Sequence, residues 1–213
     1  MPDSLSVFIV SGSHRPDSQS GKVARYSQAW LKAQPGLGAV TLLDLGKNPL
    51  PFWNEGVWSG AEEWQTAWEP HAKQIRSADA LVVVSPEWHG MAPPALKNFF
   101  LLCSNAELAN KPGLLIGVSA GASGTYPIAE LRSSSYKNNH LCYIPDHVII
   151  RRVEGVLNSP PDAQPEQANG FKDDVLTRDR LHYSLKMLLE YGKALRLVRA
   201  SGVPRLKDFA TGM

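Results

Sequence analysis

Short apolar runs rich in β-branched residues recur along the 213-residue chain, and they constrain its fold more than any other feature. The run at 79–85, Asp-Ala-Leu-Val-Val-Val-Ser, does not alternate between polar and apolar residues. Such a continuous apolar run is typical of a parallel strand that is buried on both faces. Four more strands are predicted, the last of them interrupted, at 5–10, 39–45, 114–119 and 141–150. The sequence therefore predicts a sheet with a fully buried central strand.

Helical spacing fills the intervals between these strands. Apolar residues recur at steps of three or four in segments that predict helices at 23–30, 61–77, 95–102, 126–136 and 171–200. Strands that alternate with helices predict an α/β fold with a doubly wound five-stranded parallel sheet, helices on both faces, in the flavodoxin-like order 2-1-3-4-5. A single domain is expected over 1–213, with an exposed loop at 158–170 and a loose tail after Gly202.

Composition narrows the functional classes. The formal net charge is +2 with the basic residues spread out, so neither nucleic acid nor an anionic membrane surface is an expected partner. No stretch approaches about 18 consecutive apolar residues, so neither export nor a membrane span is expected. Cys103 and Cys142 are far apart, which argues against a disulfide scaffold or a metal site and favours a reducing cytoplasm. Cys103 is expected to be buried and inert.

The loop at 10–20, between the first strand and the first helix, predicts an anion site. A helix start presents unpaired N–H groups and a positive dipole end, to which this loop adds serine hydroxyls and one guanidinium. The glycine spacing fits neither a dinucleotide fingerprint nor a P-loop, so a terminal monophosphate is favoured, with flavin mononucleotide (FMN) as the candidate. The alternative is a helix cap at Ser18 or Ser20 and a solvated arginine. The candidate residues are Ser11, Ser13, Arg15, Ser18, Gln19 and Ser20.

Two further loops follow the third and fourth strands, at 86–94 and 119–125. The carboxyl ends of parallel strands meet at one edge of the sheet, so all three loops are expected to converge on one crevice. Backbone N–H groups of 87–90 are expected to face the polar edge of a flavin ring. Glycines let the backbone approach closely and Trp88 offers a flat surface. The candidates are Pro86, Glu87, Trp88, His89, Gly90, Ser119, Gly121 and Gly124.

The sequence leaves open the roles of two side chains and of one aromatic segment. His89 is the candidate proton donor to a substrate oxygen, and the alternative is a hydrogen-bonded loop histidine without a proton role. Glu87 is interpreted as a cap or an ion-pair partner, and this interpretation is preferred to a catalytic role. The aromatic segment at 46–60, with Phe52, Trp53 and Trp58, either walls a pocket or packs on the domain surface.

Three motifs in this order resemble one family, the NADPH-dependent FMN reductases of flavodoxin-like fold, over roughly residues 5 to 140. Ser11-Gly12-Ser13-His14-Arg15 with Ser18 resembles the family's phosphate loop. The segment 86–90, followed by 94–98, resembles its flavin-ring motif, and 50–55 resembles its stretch after the second strand. The family usually has Tyr-Asn in place of Trp88-His89, often has Asn at position 20, and commonly has Gly-Gly-x-Arg in the loop that here spans 119–124.

The resemblance implies an FMN-dependent oxidoreductase. Hydride would pass from NADPH or NADH through flavin N5 to a small acceptor such as a quinone, ferric complex, chromate or azo compound. It also implies a homodimer or homotetramer. Two alternatives remain: a non-catalytic FMN electron carrier, which would not oxidise NADPH rapidly, and a flavodoxin-like binding module without turnover, which would not take up FMN.

Overall fold

A five-stranded parallel sheet in the order β2-β1-β3-β4-β5 forms the centre of the molecule and confirms the predicted fold class. The computed structural model describes residues 4–164 and 171–212, so part of the predicted 158–170 loop lies outside the described residues. Residues 158–164 are exposed or half-buried. The strands are β1 (Leu5–Ser11), β2 (Leu37–Asp44), β3 (Ala80–Pro86), β4 (Pro112–Val118) and β5 (Cys142–Ile150).

Helices cover both faces of the sheet. They are α1 (Gln19–Lys32), α2 (Gly56–Ser59), α3 (Glu62–Ala67), α4 (Glu69–Ser77), α5 (Pro94–Leu102), α6 (Asn105–Leu108), α7 (Tyr126–Ser133) and α8 (Phe171–Ala200). A 3₁₀ turn spans Val153–Gly155. Among the described residues, no helix has both the length and the apolar character needed to cross a membrane.

The sheet is buried on both sides because its central strands are apolar on both faces. Val82 and Val84 of β3 belong to one core cluster, which also contains Leu185 of α8. Leu81 and Val83 point into a second cluster with helices α4, α5 and α7. This two-sided burial fixes the strand ends firmly, and the loops that follow them are held at one edge.

Three local predictions were wrong. The helix predicted over 61–77 is broken at Trp68, since Pro70 has no N–H to continue the ladder and α4 begins beside it. β5 is one continuous strand, and the stretch that predicted an interruption is a bulge on β5 itself, because Gly113 and Leu115 of β4 pair with Tyr143 and His147. The tail is not loose, because the Gly212 N–H donates to the Lys137 carbonyl at 2.9 Å.

Candidate functional site

A cavity of about 210 Å³ opens at the carboxyl ends of β1, β3 and β4. All three loops predicted to converge there contribute to its lining. The predicted residues in its lining are Ser13, Arg15, Ser18, Gln19, Ser20, Pro86, Glu87, Trp88 and Ser119. Five predicted residues are absent from it: Ser11, His89, Gly90, Gly121 and Gly124.

The start of α1 supplies the donors of the first loop. The Ser18 hydroxyl accepts from the Gly21 N–H at 2.9 Å, so the cap interpretation holds for this residue. The Ser13 hydroxyl accepts from the Arg15 N–H at 3.2 Å. Each hydroxyl still has its own proton to donate. The N–H groups of Gln19 and Ser20 have no acceptor within the helix, because they belong to its first turn.

Two buried polar atoms beside this helix start lack partners. Within the described residues, Ser11 Oγ and Gln19 Oε1 are buried and make no hydrogen bond. Buried polar groups in native proteins are nearly always paired, and Gln19 lines the cavity whereas Ser11 does not, so the unpaired Gln19 amide oxygen indicates a ligand with a hydrogen-bond donor. A hydroxylated chain attached to a phosphate has such donors.

Gly46, just after β2, packs closely against the backbone of the first loop. A Cβ atom at this position would lie 2.2 Å from the Arg15 carbonyl oxygen. The Asp44 carboxylate accepts from the Gly46 N–H at 3.2 Å and also pairs with Arg25 at 3.2 Å. The loop conformation therefore depends on a position where only glycine fits.

The second loop is a two-residue hairpin. Trp88 and Met91 exchange backbone hydrogen bonds of 3.1 and 2.9 Å, and His89 and Gly90 between them have φ values of 49° and 71°. Two consecutive left-handed residues are the signature of a type I′ turn. Trp88 is half-buried and its indole meets the His14 ring edge-on.

Two N–H groups that were expected to face a ligand are already bonded within the protein, one to β4 and one within the hairpin. The Glu87 N–H donates to the Val118 carbonyl at 3.0 Å, and the Trp88 N–H donates to Met91. The expectation for 87–90 is therefore wrong for these two residues. The N–H groups of His89 and Gly90 have no acceptor within the part of the chain that the structure describes.

Glu87 and His89 have different surroundings. The Glu87 carboxylate accepts from the backbone N–H groups of Gly124 at 2.7 Å and Tyr126 at 3.1 Å, so it acts as the predicted cap and ties the second loop to the third. The His89 side chain is exposed outside the cavity lining. The structure therefore gives the His89 imidazole no contact with the cavity.

The third loop is fixed by β5. The Ser119 N–H donates to the Ile150 carbonyl at 2.9 Å, and the Ser119 hydroxyl accepts from Gly121 at 3.1 Å. Gly124 has a φ of 104°, and its carbonyl oxygen lies 2.1 Å from where a Cβ of Gly117 would stand. Gly121 and Gly124 therefore shape this loop rather than line the cavity.

Sequence reasoning missed the segment after β5. Val153 and Glu154 line the cavity, as do Asp17, Val118 and Ala120. The Lys22 ammonium, from α1, donates to the Val153 and Val156 carbonyls at 2.6 and 2.9 Å. Burial lowers the pKa of Lys22, and nearby carboxylates oppose that effect. No sequence signal links Lys22 to a segment 131 residues away.

The aromatic segment at 46–60 packs on the surface. Trp53 meets Trp58 edge-on at 4.9 Å between ring centroids, and the Asn98 side chain holds the backbone at Pro51 and Trp53 with two bonds of 2.8 Å. Phe52 is exposed. None of these residues lines the 210 Å³ cavity, so the surface-packing alternative describes this segment.

A larger cavity of about 460 Å³ lies away from the three loops, between α5 and the segment after α7. Its lining includes Leu101, Tyr136 and the buried Cys103, and burial raises the pKa of that thiol well above its usual value. The smaller cavity is the candidate site because it has the helix start and the unpaired polar groups beside it. Within 4–164 and 171–212, no cluster of three His, Cys, Asp or Glu side chains could hold a metal ion.

Comparison with known proteins gives one consistent family. The model of the family described as NADPH-dependent FMN reductase matches residues 5–155. A quinone reductase of Pseudomonas putida is 34% identical over 130 residues, which cover 59% of this chain and 66% of that protein, just under two thirds of its length. A quinone reductase of Escherichia coli K12 is 30% identical over 209 residues, covering 93% of this chain and all of that protein.

The fold likeness extends to solved structures. The flavoenzyme FerB from Paracoccus denitrificans, described as an NAD(P)H:(acceptor) oxidoreductase, superposes with a TM-score of 0.61 at 20% identity. The match covers 89% of this chain and 98% of that one. At this identity the likeness supports the fold alone.

Proposed function

The chain belongs to the NADPH-dependent FMN reductase family of oxidoreductases, and on that basis we propose that it binds FMN in the 210 Å³ cavity and reduces a small acceptor such as a quinone with NAD(P)H. Ferric complexes, chromate and azo compounds are further acceptors within the same proposal. The observation that carries it is the convergence of three strand-end loops on one cavity whose donors suit a phosphate monoester.

The cavity residues fit FMN at one end. Arg15 and the hydroxyls of Ser13, Ser18 and Ser20 would hold the phosphate, since charge-assisted hydrogen bonds to phosphate oxygens are strong. The volume is below the roughly 300 Å³ at which ligand pockets usually begin, so the ring system would extend from the mouth beside Trp88. Asp17 and Glu154 also line the cavity, and their carboxylates would accept hydrogen bonds from the hydroxyl groups of the ligand.

When bound, FMN supplies the centre that accepts hydride from NAD(P)H and passes reducing equivalents to the acceptor. The protein binds the FMN, orients it and shields it from water. The His89 and Gly90 N–H groups would donate to the polar edge of the ring and stabilise negative charge there. The Trp88 indole, packed against His14, would shield one side of the bound ring from water.

A cytoplasmic location and a homo-oligomeric assembly are also part of the proposal. The two cysteines are unpaired, which supports a reducing cytoplasm as the site of action. A single domain and assembly into a homodimer or homotetramer are also proposed. Leu101, 64% exposed beside the larger cavity, supports a subunit contact there. Size-exclusion chromatography with light scattering tests the assembly.

The decisive experiment is a visible spectrum of the purified protein after FMN is added and free flavin is removed, followed by anaerobic NADPH and then benzoquinone. Retained flavin that bleaches with NADPH and recovers with quinone supports the proposal. Retained flavin that does not bleach favours a non-catalytic electron carrier. Absence of retained flavin together with no NADPH oxidation in the presence of free FMN would overturn the proposal.

A further inference from the structure

An arginine just after β5 contacts the third loop. Arg151 directly follows the last residue of β5, and its Nε donates to the Ala122 carbonyl at 2.6 Å. The residue is exposed. Among the residues that the structure describes, neither Nη atom of Arg151 has a partner. The guanidinium is therefore anchored at one nitrogen and open at the other two.

The backbone on both sides of Arg151 is tied to the same loop. The Arg152 N–H donates to the Gly121 carbonyl at 3.0 Å, and the Ser119 N–H donates to Ile150 at 2.9 Å. Val153 lies two residues after Arg151 and lines the cavity, and Ala120 lines it two residues before Ala122. These bonds hold Arg151 beside two segments that line the cavity; Arg151 itself is not in the lining, and we call its position the rim of the cavity.

The chemistry of this rim suits a phosphate monoester. A guanidinium held through Nε presents its two Nη groups as a planar fork, which matches two oxygens of one phosphate. The third loop itself, 119–124, contains only Ser, Ala and Gly and so has no cation. The nearby carboxylate of Asp173 pairs with Arg152 at 3.8 Å, and no carboxylate of the described residues pairs with Arg151.

We propose that Arg151 binds the 2′-phosphate of NADPH at the rim of the cavity and makes NADPH the preferred hydride donor over NADH. This inference rests on the proposed use of a nicotinamide donor. NADPH and NADH differ only at that 2′ position. One guanidinium that binds the 2′-phosphate is therefore enough to make NADPH the preferred donor. Arg152 shares the charge but has its side chain 78% exposed and directed to Asp173, which makes it the matched control.

The test compares the FMN-treated wild-type protein with Arg151→Gln, Arg151→Lys and Arg152→Gln. Isothermal titration measures binding of adenosine 2′,5′-bisphosphate and of 5′-AMP, which differ only in the 2′-phosphate. We expect the wild type to prefer the bisphosphate and Arg151→Gln to weaken its binding by about 10- to 100-fold, with 5′-AMP unchanged. Arg151→Lys should fall between, and Arg152→Gln should match the wild type within about threefold.

The inference is overturned if the wild type binds both nucleotides equally, if Arg151→Gln keeps the discrimination, or if Arg152→Gln loses it to the same extent. The ratio of kcat/KM for NADPH to that for NADH should fall with the bisphosphate affinity in Arg151→Gln. A protein that oxidises both donors with an unchanged ratio refutes the role of Arg151 alone. A protein that oxidises neither refutes the proposed function, and the nucleotide titration still decides the role of Arg151.

Discussion

The imidazole of His14 meets the indole of Trp88 edge-on, with 4.5 Å between the ring centroids. His14 belongs to the loop after β1 and Trp88 to the hairpin after β3, so this contact joins two loops of different strands. Aromatic pairs of this geometry contribute about 0.5–1.5 kcal/mol beyond the area they bury. An aromatic contact therefore ties the first loop of the candidate site to the second.

Replacing Trp88 by Ala should weaken FMN binding by about 3- to 10-fold, because it removes both a stacking surface and the partner of His14. Flavin fluorescence titration measures this affinity. Trp58→Ala is the control, since Trp58 is 75% exposed and outside the cavity lining. Equal affinity for FMN in the two variants would remove Trp88 from the site.

Replacing Arg15 by Gln should lower the affinity for FMN by about 10- to 100-fold while leaving riboflavin binding unchanged, because riboflavin lacks the phosphate. The two flavins are titrated side by side. Arg205→Gln serves as the control, since Arg205 pairs with Asp208 at 3.5 Å and lies over the Phe209 ring at 4.9 Å, outside the cavity lining. Loss of affinity for both flavins alike in Arg15→Gln would contradict a phosphate-specific role.

Replacing Gly46 by Ala should displace the first loop, because the new Cβ would stand 2.2 Å from the Arg15 carbonyl. We expect a loss of about 1–3 kcal/mol in the free energy of unfolding, together with loss of FMN retention. Gly155→Ala is the matched control, since no atom lies within 4 Å of its added Cβ. Urea unfolding and the retained-flavin spectrum measure the two effects, and equal behaviour of both variants would refute the role of Gly46.

Lys111 should make stability depend on pH. Burial lowers the pKa of this ammonium to about 8, where it donates to the Ile75 carbonyl at 2.6 Å at the end of α4. Between pH 8 and 10 the unfolded chain binds a proton that the folded chain has released, so the contribution of Lys111 to stability rises with pH. The slope approaches about 1.4 kcal/mol per pH unit.

Urea unfolding of the wild type and of Lys111→Met at several pH values isolates this contribution. The Met variant leaves two carbonyls at the end of α4 without their donor, which is a cost independent of pH. The difference between the two free energies of unfolding should therefore grow in favour of the wild type from pH 8 to 10. Parallel pH profiles would show that Lys111 does not titrate in this range.

The strands and their order were predictable from the sequence because buried parallel strands are continuous apolar runs and right-handed crossovers leave few topologies. The place of the three loops followed from the strand ends. The hairpin at His89-Gly90 left a weaker signal, since Asn-Gly or Asp-Gly is the usual type I′ pair and histidine is a less frequent left-handed residue.

The remaining features depend on contacts between distant residues. The Lys22 ammonium reaches Val153 across 131 positions, and the Glu87 carboxylate reaches Gly124 across 37. No periodicity or spacing encodes such pairs, because each partner also fits a solvated surface by its residue type. Pro70 did carry a local signal for the break at Trp68, but the apolar spacing across 61–77 continued through it.

The stretch 120–124 is attached to the rest of the protein through its main chain. Gly121 and Ala122 offer carbonyls to the two arginines after β5, and the Gly124 N–H binds Glu87. Side chains at positions 120, 122 and 123 thus have no structural duty in these bonds. A substitution at these positions therefore changes the surface that the loop presents to the solvent and the cavity while leaving the bonds that hold the loop in place.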